Sequence, residues 1–240
     1  MIKNLLFLLL LFLSGCNQAN NQGNNQANNQ APQAPSEPGI WENDILKFEQ
    51  LDSTETYAPD ALLFVGSSSI RMWNSIAADM APYNVIQRGF GGSKLSDLVV
   101  YTRRIVSPHS CSAVILFVAN DIVGNKDDKH PEEVAALFKQ VVDTIRQSHP
   151  QTPVFWIETT ATPSRWHVWE QASKANELIR QSCNRSSNTY FIKTRDLFLN
   201  KEGLPDSSLF VKDMLHLNEK GYEVWREIIK KEVESQSRRF

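Results

Sequence analysis

The strongest constraint on what this chain can fold into is a recurrence of short apolar runs, each too brief for a helix, separated by stretches of helical periodicity. The runs are Ala61 to Val65, Tyr83 to Gln87, Ala113 to Val118, Pro153 to Glu158 and Thr189 to Lys193. Apolar runs of this length, bounded by turn-forming residues, are read as buried strands. Amphipathic stretches at Leu95 to Ile105, Pro131 to Gln147 and Glu170 to Gln181 lie between them, with a last helix near Glu219 to Val233. A short leading helix at Trp41 to Gln50 presents Trp41, Ile45, Leu46 and Phe48 to cover a sheet edge. Strands alternating with helices predict an α/β fold, a three-layer α/β/α sandwich around a mainly parallel five-stranded sheet. No internal repeat is present.

The 240 residues, 41% of them hydrophobic, suffice for one sizeable core. A formal charge of −2 gives no electrostatic footprint for a nucleic-acid partner. The N-terminus is built differently. Lys3 is followed by an apolar run from Leu5 to Leu13, too short for a membrane span and typical of a secretory signal. Asn17 to Pro38 is almost wholly Asn, Gln, Ala, Pro, Gly and Ser, a composition that cannot offset the entropy of ordering. The expected organisation is therefore a signal segment at 1–15, a linker at 16–40 and one folded domain at 41–240.

Leu13-Ser14-Gly15-Cys16 resembles the bacterial lipobox. That resemblance implies cleavage before Cys16, lipid on its thiol and amine, and tethering to a membrane of the cell envelope. Asn17 stands where enteric bacteria use an aspartate for inner-membrane retention, so the implied address is the outer membrane, facing the periplasm. Cys111 and Cys183 remain, in a compartment where disulfides form, and lack the spacing of a zinc site. They are read either as a bridge or as two separate buried thiols.

In open parallel sheets, ligands bind beyond the carboxyl ends of the strands, so polar residues just after each run are the candidates. They are Gly66-Ser67-Ser68-Ser69, Arg88-Gly89-Phe90-Gly91-Gly92-Ser93, Ala119-Asn120-Asp121 and the stretch from Thr159 to Trp169. The three serines serve either as a helix cap or as the setting of a nucleophile. Gly91-Gly92 fits a tight turn or an anion-binding loop, and Asn120 a cap or a donor. Asp97 and Asp121 fit helix capping, while Arg165 and Asn176 are placed to buttress the site. Trp73, Trp156, Trp166 and Trp169 belong either to the core or to a substrate pocket.

The same rule sorts the five histidines. His109 and His149 precede strands and fall at the opposite edge; His130 lies in a charged helix start; His167 is expected in a pocket wall or loop. His216, three residues after Asp213, can be oriented by that carboxylate within one turn and take a proton from a nucleophile.

Taken together these blocks resemble the SGNH branch of the GDSL esterase and lipase family, over roughly Phe64 to His216. Gly66-Ser67-Ser68-Ser69 stands for the Gly-Asp-Ser-Leu block, Arg88 to Ser93 for the glycine block, Val118-Ala119-Asn120-Asp121 for Gly-x-Asn-Asp, and Asp213-Met214-Leu215-His216 for Asp-x-x-His. Ser67 and Val118 depart from the family pattern without removing a catalytic group. The resemblance implies the flavodoxin-like SGNH-hydrolase fold and a carboxylic ester hydrolase. It implies Ser68 as nucleophile, His216 as base, Asp213 as the acid orienting it, and Ser68, Gly92 and Asn120 as the oxyanion hole. No metal or cofactor is required. The implied substrates are small esters, acetylated glycans or lysolipids, with a short-chain or O-acetyl ester favoured; a catalytically silent glycan- or lipid-binding lipoprotein is the rival.

Overall fold

The computed structural model describes residues 39–237. The expected signal segment, Cys16 and the linker as far as residue 38 lie outside the described residues. Five strands form one sheet in the order β2-β1-β3-β4-β5: β1 Leu62–Gly66, β2 Val85–Gly89, β3 Ala113–Phe117, β4 Val154–Ile157 and β5 Thr189–Ile192. Every pairing is parallel, so the expected mainly parallel sheet is wholly parallel among the described residues.

Alternation along the strands supplies two cores. Leu63 and Val65 of β1 join Val114, Leu116 and Trp156 on one face. Leu62 and Phe64 join Ile115, Phe117 and Phe155 on the other. Both faces are buried because helices cover both, which is why these strands read as continuous apolar runs. The first face is covered by α1 Glu42–Thr54, α4 Leu95–Val106, α5 Pro131–Ser148 and α6 Trp169–Arg185. The second is covered by α2 Ser68–Arg71, α3 Ile76–Asp79 and α7 Glu219–Ser237. On α7, Tyr222, Trp225, Ile229 and Val233 recur at the helical spacing and form its apolar stripe.

Element ends follow local chemistry. Helix α5 begins with Pro131, whose missing N–H is not needed there, and the Glu133 carboxylate accepts from the His130 N–H at 2.8 Å. The solvated helix start expected at His130 is what the structure has. Strand β2 begins two residues after its expected start, because Tyr83 is still closing a turn by donating to the Met80 carbonyl.

Two features of this topology make the site. Strand β1 lies between β2 and β3. The connections therefore leave it in opposite directions and open a crevice above the adjacent ends Gly66 and Phe117. An aromatic cluster then fixes what stands at that crevice. Trp73 stacks on Tyr222 at 5.1 Å, Trp225 meets Phe117 edge-on at 4.6 Å, and the Tyr222 hydroxyl donates to the Ser69 carbonyl at 2.9 Å. Aromatic pairs of this kind add about 0.5–1.5 kcal/mol each beyond their buried area. They clamp the turn carrying Ser68 onto α7. Trp73 and Trp156 are thus core residues, whereas Trp169 reaches the cavity and Trp166 stacks on it at 5.7 Å.

Candidate active site

Strand β1 ends where its backbone runs closest to β3. A side chain at Gly66 would collide with the Phe117 carbonyl, so only glycine allows the chain to turn there. The Ser67 N–H still donates to Phe117 O, prolonging the ladder by one residue, and the Ser67 carbonyl then accepts from Ile70 and Arg71. Ser68 therefore opens α2 at the head of the crevice, and its N–H has no acceptor among the described residues.

Its hydroxyl has one. The Ser68 Oγ lies 2.9 Å from His216 Nε2, and His216 Nδ1 lies 2.6 Å from Asp213 Oδ2. An ionised carboxylate only accepts, so Nδ1 carries the ring hydrogen and Nε2 is left to accept from the serine. Asp213 is itself held by the N–H groups of Leu215 and His216, both at 2.9 Å to Oδ1. Partial burial pushes this carboxyl upward, but the hydrogen bonds from the His216 ring and the two N–H groups prevail and bring it down to about 2. The segment is a turn, with Met214 at φ 58°, rather than part of a helix. It is closed by the Phe210–Leu217 bridge and by Val211 N–H donating to the His216 carbonyl.

The other two strand ends contribute differently. Asn120, after β3, donates from Nδ2 to the Ser93 carbonyl at 2.9 Å, tying its loop to the glycine loop. Its Oδ1 accepts from Arg165 Nη2 at 2.9 Å, and Arg165 Nη1 donates to the Ala119 carbonyl at 2.6 Å. Gly92 has φ +83°, a conformation reserved in practice for glycine, and an added side chain would press on Trp41. Its N–H has no acceptor among the described residues.

Ser68, Asn120 and His216 line one cavity of about 570 Å³, part of it open to solvent, while Asp213 stands behind His216. Gly92 is not among the residues lining that cavity; the Ser93–Asn120 bond ties its loop to it. The far wall is apolar, with Ile122, Val168, Trp169 and Ala172, and carries the buried hydroxyls of Thr160 and Thr162.

Asp121 accepts the Leu95 N–H at 2.9 Å and Asp97 that of Lys94 at 2.8 Å, the capping roles expected of them. Asn176 accepts from the Thr159 N–H and donates to the Thr159 carbonyl, fastening the loop after β4 beneath the cavity. His167 packs over Gly124 outside the cavity. Cys111 and Cys183 are free thiols, pushed by burial up to about 11 and about 12.

The chain matches the model of the GDSL-like lipase/acylhydrolase family over residues 53–224. No curated protein matches it. Solved structures do. A GDSL-like lipase from Bacteroides thetaiotaomicron is 15% identical, with a TM-score of 0.65 over 80% of this chain and 98% of its own. A family 3 carbohydrate esterase of Clostridium thermocellum is 15% identical, with a TM-score of 0.55 over 74% and 98%. A lipase/acylhydrolase from Enterococcus faecalis is 16% identical, with a TM-score of 0.54 over 74% and 96%. At these identities the likeness is one of fold.

Proposed function

Because the chain belongs to the GDSL-like lipase/acylhydrolase family, and is thereby a carboxylic ester hydrolase, we propose that it cleaves its ester through Ser68, His216 and Asp213. The observation that carries this reading is the unbroken series of hydrogen bonds from Ser68 to His216 to Asp213 at a cavity that Asn120 also borders. Ser68 Oγ attacks the ester carbonyl as its proton passes to His216 Nε2, and Asp213 stabilises the imidazolium. The tetrahedral oxyanion is met by the Asn120 amide and the Ser68 N–H, each such donor contributing about 3 kcal/mol, with the Gly92 N–H as the third donor that the family resemblance implies. His216 then returns the proton to the departing alcohol. Water, activated by the same imidazole, releases the acid and regenerates Ser68.

The preferred substrate is a short-chain or O-acetyl ester. Ala119, Ile122, Thr159 and Ala172 line both the cavity and an adjoining hollow of about 250 Å³, and we read them as the surface against which a short acyl group rests. The fold shared with a carbohydrate esterase keeps acetylated glycans among the candidates. Cys16, by its lipobox resemblance, tethers the enzyme to the outer membrane of a bacterial envelope, with 16–40 as the leash.

A serine-directed phosphonate is expected to label the wild-type chain and not Ser68→Ala; equal labelling of both sinks the assignment of Ser68. Hydrolysis of p-nitrophenyl esters is expected to fall as the acyl chain lengthens from acetate. A rise toward long chains would favour a lysophospholipid instead. Cys16→Ala is expected to release the protein from membranes, and continued membrane association would count against lipidation.

A further inference from the structure

Asn120 is held between two partners of opposite kind, one that only accepts and one that only donates. The Ser93 carbonyl takes one Nδ2 hydrogen, and Arg165 gives a hydrogen to Oδ1. A carboxamide has two nearly isosteric orientations. In the reversed one, Nδ2 would face a guanidinium that has no lone pair to offer, and Oδ1 would face a carbonyl that has no hydrogen.

We propose that Arg165 is the positioning residue of the oxyanion donor, holding the Asn120 amide so that its second Nδ2 hydrogen is presented to the reacting carbonyl. The inference rests on the role given above to Asn120. Two further observations support it. The guanidinium grips the turn twice, at the Asn120 side chain and at the Ala119 carbonyl, from the 3-10 helix Pro163–Val168 that walls the cavity. A planar fork makes both bonds at once; an ammonium cannot reproduce that geometry. In addition, Arg165 has no bonded carboxylate among the described residues, although it lines the same cavity as Ser68. Asp128 acts on the guanidinium only at a distance, so the charge still draws electron density toward Oδ1 and makes the opposite N–H a better donor. The sequence marked Arg165 only as a residue placed to buttress the site; its partner, 45 residues away, is supplied by the fold.

The test is a double-mutant cycle on the full chain with p-nitrophenyl acetate, comparing wild type, Asn120→Ala, Arg165→Met and the double variant. Arg165→Met is expected to lower kcat by roughly 10- to 100-fold with KM within about twofold. Added to Asn120→Ala, it is expected to change kcat by less than about threefold, because its effect passes through the amide already removed. Equal losses in both backgrounds, or a loss confined to KM, would overturn the proposal and leave Arg165 as a wall residue. An Asn120→Ala variant with wild-type kcat would instead strike at the oxyanion reading, and the Arg165 role would fall with it. If Arg165→Met does not fold, the same cycle is run with Arg165→Lys, which keeps the charge and one donor. A kcat several-fold below wild type with Asn120 present, and unaffected in its absence, is then expected. Full wild-type kcat in Arg165→Lys would overturn the requirement for the fork.

Discussion

The two edges of the sheet carry the same residue types in different wiring. At the carboxyl edge, Ser68, His216 and Asp213 are connected in series through the two ring nitrogens of one histidine. At the amino edge, Ser148 Oγ meets His149 Nδ1 at 2.8 Å, but the other nitrogen of that ring is spent on the His109 carbonyl at 2.7 Å. The carboxylate there, Asp52, faces His109 at 3.4 Å and pairs with Arg88. Serine–histidine and histidine–carboxylate contacts both exist at this edge, on different rings. No proton can travel from the serine to an imidazole stabilised by the carboxylate.

Exposure divides the edges as well. The His216 and Asp213 side chains are 19% and 48% exposed, those of His109 and Asp52 3% and 14%. Arg88 is sandwiched with Phe48 and Tyr57 and donates to the Tyr57 hydroxyl at 2.9 Å. A site must leave its reactive groups reachable; a staple hides them. The amino edge, reached by the Arg88 side chain from within β2, therefore ties the sheet to α1, and the carboxyl edge carries the exposed series to which we assign the chemistry.

The largest effect expected from this contrast lies in the serines. Ser68→Ala should lower kcat by about 10⁵-fold or more, and Ser148→Ala should leave it within about twofold, measured on p-nitrophenyl acetate. Comparable losses would erase the distinction. The acids should separate two different properties. Asp213→Asn is expected to cost about 10⁴-fold in kcat with little change in thermal stability, because it upsets the ring's tautomer on an exposed turn. Asp52→Ala is expected to do the reverse: it strands a buried guanidinium, costing about 3 kcal/mol in a denaturant melt, with kcat unchanged. An active-site defect in Asp52→Ala would mean that the two edges are coupled.

The smallest effect is in pH dependence. Burial lowers His109 from its ordinary value of 6.5, with the Arg88 and His149 charges acting in the same direction against Asp52. The unfolded chain then takes up this proton first, so stability is full above 6.5 and declines as the pH falls below it. Asp213 is depressed from 3.8 to about 2, so its contribution is present above 3.8 and lost only as the pH falls toward 2. Melting temperature against pH should thus lose slope just below 6.5 in His109→Gln and only in strong acid in Asp213→Asn. An unchanged profile in His109→Gln would remove that histidine from the balance.

Much of this was legible in one dimension. Strand runs such as Ala61 to Val65 and Ala113 to Val118 announce themselves because both faces are buried; the rule that sites follow strand ends then points to the stretches holding Ser68 and Asn120 and away from His109 and His149, and the family resemblance singles out the two residues. Trp73 and Trp156 could not be sorted that way. A large aromatic looks the same whether it lines a pocket or fills a core, and only their packing under α7 and against Phe138 places them. The Arg165–Asn120 bond was invisible because nothing local marks a long-range donor.

What the sequence determined by itself is the alternation of elements, the polar strand ends and the residue types available for ester chemistry, since periodicity and turn chemistry are local. Which of two serine–histidine pairs joins a carboxylate in series, and which amide is locked by a guanidinium, was decided by tertiary structure alone. Such connections depend on distances between segments that meet only when the sheet and its helices have closed around their two cores.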